Sequence, residues 1–193
     1  MKPQKTLLTI LILLILVVAA YAIDFRAAQA QTQTEDHVQS FSLGIEQGQP
    51  KPVITQLTIY VEEPAYLLGS VRQGLVKAIQ DTYAIQDLRV VYAMPGPQDG
   101  AVMYVKVTPK QFIWLPLFTW ANFDLRLVYA SDGKLDWMDD SFVNMTESPS
   151  LRMKGQFSLT DSSMGVMTLR GQARYLGRQI AAEFLEAIQF HLY

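Results

Sequence analysis

The 193-residue chain has no cysteine and only two histidines. The first absence excludes a disulfide framework, a thiolate zinc site and a lipid-modified cysteine. The second removes the usual general base. His37 and His191 lie far apart in the chain, and neither neighbours a nucleophile motif or sits at metal-ligand spacing. No Walker loop, GxGxxG, HExxH or GxSxG occurs. The expectation is a protein that is not an enzyme, with no cofactor and no metal. Excess positive charge is also missing. The chain has 16 Lys+Arg; without Lys2 and Lys5, 14 remain against 18 Asp+Glu, a formal charge of −4. A mildly acidic domain is a poor general nucleic-acid binder, so no nucleic-acid partner is expected.

What the chain does have is one long apolar run, Thr6 to Ile23, reading TLLTILILLILVVAAYAI after Lys2 and Lys5. About 18 residues rise roughly 27 Å as a helix, close to the hydrocarbon thickness of a bilayer. Two readings fit. In one the run is an uncleaved single-pass anchor through the lipid bilayer, with the lysines held in the cytoplasm and the rest of the chain on the periplasmic or extracellular side. In the other it is a signal peptide with Leu7 to Val18 as its apolar stretch. Cleavage would then follow Ala20-Tyr21-Ala22 or Ala28-Gln29-Ala30 and release a soluble, secreted domain. The run is long for a signal peptide, which favours the anchor. Both readings send the bulk of the chain out of the cytoplasm.

The chain divides into residues 1–26, the anchor or signal segment; 27–52, a polar tether rich in Gln and Thr and ending in GQPKP; and 53–193, a folded domain. Phe41, Leu43 and Ile45 alternate and suit a short edge strand. Half of all residues are hydrophobic and 11 % aromatic, enough to fill a core. Val53 to Val61 alternates as a half-buried strand. Glu62-Glu63-Pro64 then opens a helix with its apolar stripe at Leu68, Val71, Leu75, Ile79 and Tyr83. Gly69 and Gly74 weaken that helix but allow close packing on a sheet. Strands are expected at Leu88–Ala93, Ala101–Thr108, Phe123–Tyr129 and, after the Ser131-Asp132-Gly133-Lys134 turn, Leu135–Val143. A weaker strand spans Leu151 to Leu159. The last helix runs from about Met164 to Leu192, with Ala173, Leu176, Ile180, Phe184, Ile188 and Leu192 as its seam. The fold class expected is α+β: a two-layer sandwich of a mainly antiparallel sheet with two amphipathic helices on one face, in the order β-α-β-β-β-β-α, preceded by one transmembrane helix.

The succession of a strand ending in YVEEP, a helix, the strands LRVV and VMYVKV, a long strand reaching YASDGKLDW and a closing helix resembles the LptE-type envelope lipoproteins. The resemblance covers roughly Val53 to Tyr193 and lies in element order and turn placement; the family's lipobox cysteine has no counterpart here. It implies an envelope protein that helps a β-barrel partner place lipopolysaccharide in the outer membrane.

Three groups of residues are candidates for contact. Phe112, Trp114, Leu115, Leu117, Phe118 and Trp120 belong to an almost wholly apolar stretch interrupted by Pro116, which argues against a central strand. Such a stretch makes either a partner or membrane-interface contact, where Trp is favoured, or a loop over the core. Arg170, Arg174 and Arg178 recur every four residues and form one cationic stripe, suited to anionic headgroups or to a solvated face. Asp136, Asp139 and Asp140 supply oxygens but not EF-hand spacing, and a solvated loop is expected. Asn144-Met145-Thr146 matches a glycosylation sequon, a pattern that arises readily by chance. The function expected is binding or scaffolding, as an accessory subunit of an integral membrane protein complex or in contact with membrane lipid.

Overall fold

The structure, a computed structural model, describes residues 3–22, 26–35, 55–83, 85–95, 100–136 and 152–192. Helix α1 (Pro3–Ala22) leads into strand β1 (Arg26–Glu35). Then come β2 (Gln56–Glu62), a 3-10 turn (Ala65–Leu67), α2 (Ser70–Thr82), β3 (Asp87–Val91), β4 (Ala101–Leu115), β5 (Phe118–Ala130), β6 (Arg152–Met167) and α3 (Leu169–Leu192). The fold is α+β.

All six strands form one mixed sheet in the order β1-β6-β5-β4-β2-β3. The pairs β1–β6, β6–β5 and β5–β4 are antiparallel. The pairs β4–β2 and β2–β3 are parallel. The parallel edge has a simple cause. Helix α2 carries the chain back to the end where β2 began, so β3 must run the same way. The core lies between one sheet face and the helices. Ile59, Val105, Phe123, Leu125 and Leu159 alternate inward along their strands, and Val71, Leu75 and Ile79 of α2 meet them together with Leu176, Ile180 and Phe184 of α3. The described part of the expected α3 seam, Ala173 to Phe184, is fully buried.

The two helices also pack on each other. A Cβ placed on Gly177 would stand 2.5 Å from the Ser70 carbonyl carbon, and one on Gly74 would stand 3.1 Å from the Gly177 carbonyl oxygen. Gly74 thus serves a helix–helix crossing and not the sheet contact expected from sequence. Helix α2 also begins later than the acidic pair suggested. Pro64 opens the 3-10 turn, and Leu68 (φ 55) and Gly69 (φ 74) are left-handed before α2 starts at Ser70. Glu63 still serves that terminus. Its carboxylate accepts from the Val71 N–H at 3.0 Å and the Arg72 N–H at 3.4 Å. Burial pushes the Glu63 carboxyl above its usual value, and the two backbone N–H groups and Arg72 offset part of that rise.

Three expectations are corrected. First, residues 26–35, assigned to the end of the anchor segment and the start of a solvated tether, form β1, paired residue for residue with β6 from Arg26↔Met167 to Glu35↔Ser158. RAAQAQTQTE lacks large apolar residues, so its strand is dictated by the open backbone edge of β6 and not by burial. Second, the weak last strand is a 16-residue element of the sheet interior, and α3 starts at Leu169, not Met164. The Thr168 hydroxyl caps it by accepting from the Gly171 N–H at 3.0 Å. The Gln172 side chain ties it to β6 by donating to the buried Asp161 carboxylate at 3.0 Å. Third, Leu135 follows the Ser131–Lys134 turn without entering a strand, and β5 pairs with β6. The rest of the strand expected to Val143, together with Asp139, Asp140, Asn144, Phe41, Leu43, Ile45 and His37, lies outside the described residues, as do the side chains of Ile188, His191 and Leu192.

Every described side chain of α1, residues 8–18, is exposed. Among the residues whose side chains are described, which in α1 are only 8–18, no helix is long and apolar enough to cross a membrane.

Candidate functional site

The apolar stretch around Pro116 is a β-hairpin. β4 and β5 run to Leu115 and from Phe118, with Pro116 and Leu117 as a two-residue turn. An irregularity between Pro109 and Gln111 decides which side chains face outward. Before it, Val105, Val107 and Pro109 share the helix-covered face. The extra residue reverses the alternation, so Gln111 pairs with Asn122, Phe112 with Ala121 and Trp114 with Thr119. Phe112 and Trp114 therefore turn to the helix side. Phe112 packs against the core and stacks on Tyr66, ring centroids 4.2 Å apart. Ile113 and Leu115 go to the face that no described helix covers.

On that face a single apolar surface results. Ile113 stands opposite Trp120, Leu115 opposite Phe118, and Phe118 opposite Met164 of β6. Leu115 is 54 % exposed, Leu117 at the turn 64 %, and Met164 70 %. Val166 is also exposed. The turn is held down by β6. The Gly165 N–H donates to the Leu117 carbonyl and the Met167 N–H to the Pro116 carbonyl, both at 2.9 Å. The turn's outward carbonyls are thus satisfied, and its exposed leucines sit on a fixed backbone.

Away from the hairpin the same face is polar. Lys106, Lys110, Asp124, Arg126, Gln156 and Ser158 line a shallow hollow. Lys110 pairs with Asp124 at 2.7 Å and Lys106 with Glu62 at 3.1 Å. The Tyr104 hydroxyl donates to Glu62 at 2.8 Å. That bond, with help from Lys106 and against some desolvation, lowers the Glu62 carboxyl, while burial and the same carboxylate push the tyrosine up. Beyond them Val102, Tyr104, Val128, Ala130 and Leu135 form a small second core.

The structure splits the six sequence-derived contact residues. Leu115, Leu117 and Trp120 are exposed, Phe118 is half-buried on the same face, and Phe112 and Trp114 belong to the other side. Ile113, from the same apolar run, completes the surface together with Met164 and Val166, which the sequence reading missed. Met164 and Val166 continue the period of two set by Thr160 and Ser162, a signal hidden by assigning them to the last helix. Arg170, Arg174 and Arg178 are all exposed along α3. Asp136 is exposed too, and among the described residues no group of three acids, histidines or cysteines could hold a metal.

The split has a measurable consequence. Phe112→Ala is expected to cost about 2 kcal/mol, from the lost ring pair and a partial cavity. Trp120→Ser is expected to cost less than about 1 kcal/mol, the scale of one cross-strand pair. Denaturant midpoints of the two variants check this; equal losses would place both residues in the core.

No family model matches the chain, and no curated protein matches it. Among solved structures, the PelC L103M dodecamer from Paraburkholderia phytofirmans matches 83 % of this chain and 98 % of its own, at 10 % identity and a TM-score of 0.30. A likeness that low carries no argument about fold or function, and none of these comparisons bears on the LptE-type resemblance.

Proposed function

We propose that the protein is a membrane-anchored, extracytoplasmic binding or scaffold protein, not an enzyme, that works as an accessory subunit of a larger membrane assembly. The observation that carries this reading is the exposed apolar surface at the hairpin end, mounted on backbone that the sheet holds rigid. Apolar surface of this kind usually marks contact with a partner protein or with a membrane, and either suits a subunit held at the bilayer. On the polar face beside it, Lys110 pairs with Asp124 and Lys106 with Glu62.

Two features support anchoring by α1. Its described side chains, Leu8 to Val18, are apolar apart from Thr9, and all are exposed. The second A-x-A signature, Ala28 to Ala30, lies inside β1. Cleavage after Ala30 would remove half of a ten-residue strand paired with β6. The natural protein, purified in mild detergent, should retain the sequence before Ala22 and bring an integral membrane protein with it in stoichiometric amount. A mature chain starting at Ile23, or one that elutes alone, would overturn the anchored-subunit reading. The LptE-type role remains the second form of the proposal, and co-purification of an outer-membrane β-barrel would select it.

A further inference from the structure

We infer that the hairpin tip and the adjoining end of β6 seat in the interface of the same bilayer that α1 enters, so that the domain stands on the membrane at two points. This rests on α1 being membrane-embedded, as proposed above.

The sheet register supplies the geometry. Arg26, the first residue of β1, pairs with Met167. The Met167 N–H donates to the Pro116 carbonyl in the hairpin turn. Three neighbouring strands thus bring the start of β1 and the turn to one level of the sheet, about 10 Å apart at ordinary strand spacing. Only residues 23–25 separate Arg26 from the end of α1 at Ala22. Four peptide steps span at most about 14 Å. If α1 lies in a bilayer, its exit point is within that distance of Arg26, and the membrane surface with it. The interfacial layer is itself roughly 5–8 Å thick on each side. The turn therefore lies within about 24 Å of that exit point, close enough for its side chains to reach the headgroups.

The residues at that level suit the place. Leu115 and Leu117 at the turn and Met164 and Val166 on β6 are all exposed. Trp120, the amphipathic ring favoured at membrane interfaces, lies one position further back. Arg170 is exposed in the first turn of α3, which begins two residues after Met167, and puts a cation at the same end for lipid phosphates. The charged band around Lys106 and Asp124 starts only beyond this apolar zone, as expected where the sheet rises into water. A 26-residue flexible tether, by contrast, would leave the apolar tip without a fixed neighbour.

The absence of cysteine makes the test direct. Leu13→Cys in α1, Leu117→Cys at the turn and Ser158→Cys each give the full chain one site for an environment-sensitive fluorophore. Ser158 lies six residues up β6 from Met164, about 20 Å away. Each labelled protein is reconstituted in phosphatidylcholine–phosphatidylglycerol vesicles carrying a nitroxide on the acyl chain, after circular dichroism shows an unchanged melting curve. Labels at 13 and 117 should lose most of their emission, and the label at 158 should keep it. Quenching at 13 without quenching at 117 overturns the two-point seating and leaves the anchor intact. No quenching at 13 overturns the anchor, whatever happens at 117. Quenching at 158 as well means that the sheet lies flat on the lipid, which also overturns the tip-down arrangement.

Discussion

Gly177→Val is expected to destabilise the domain more than any single change at its surface. The position sits where α3 crosses α2, and a Cβ there would come within 2.5 to 2.6 Å of the backbone carbon, backbone oxygen and Cβ of Ser70. Backbone cannot move aside as a flexible side chain can, so the helices must separate. Separation loosens their shared seal on the core, because Val71 and Leu75 on one helix and Leu176 and Ile180 on the other are fully buried together. Overpacking of this kind costs about 1–3 kcal/mol, occasionally more. Gly177→Ala is the sharper version of the test. Removing a mid-helix glycine should by itself gain about 1 kcal/mol of helix propensity. The clash should outweigh that gain, so alanine should lower the denaturant midpoint and valine should lower it further. A raised midpoint for the alanine variant would show that the two helices do not meet at this glycine.

Phe184→Ala should cost roughly 3–5 kcal/mol, the range for a fully buried aromatic truncated to a cavity. Phe184 is wholly inaccessible. Its ring meets Phe157 of β6 edge-on, with centroids 5.8 Å apart and planes at 83°. The lost edge-to-face pair adds to the lost burial. Because this contact ties α3 to the sheet interior, the loss should appear in equilibrium unfolding of the whole domain. A midpoint unchanged by the substitution would mean that this face of α3 does not rest on its own sheet.

Much of this architecture was written in periodicity. The α2 stripe at Val71, Leu75 and Ile79 and the α3 seam from Ala173 to Phe184 were legible because a helix core face repeats every three to four residues whatever it packs against. β2, β4 and β5 were legible for the same reason at a period of two. The turn at Ser131 to Lys134 followed from local chemistry, with Gly133 at φ 70 and the Asp132 carboxylate accepting from the Lys134 N–H at 3.1 Å. Part of the candidate surface was visible too, since a run with almost no polar member cannot hide on one side of a strand.

What sequence could not supply were the decisions made between distant segments. β1 is a strand because β6 offers it hydrogen bonds. Its only local trace is small residues at 28, 30, 32 and 34 alternating with glutamine at 29, 31 and 33. Phe112 and Leu115 lie three residues apart in one apolar run, yet they end on opposite faces. The extra residue after Pro109 fixes the strand's parity, and only pairing with β5 shows that it is extra. Met164 and Val166 join the hairpin surface through register with β5 and β1, a relation carried by backbone hydrogen bonds between segments that are remote in sequence. Composition and period determined which side chains must find apolar surroundings. The tertiary pairing alone decided which found them in the core and which were left at the sheet's end, because a strand has two faces and only its neighbours choose between them.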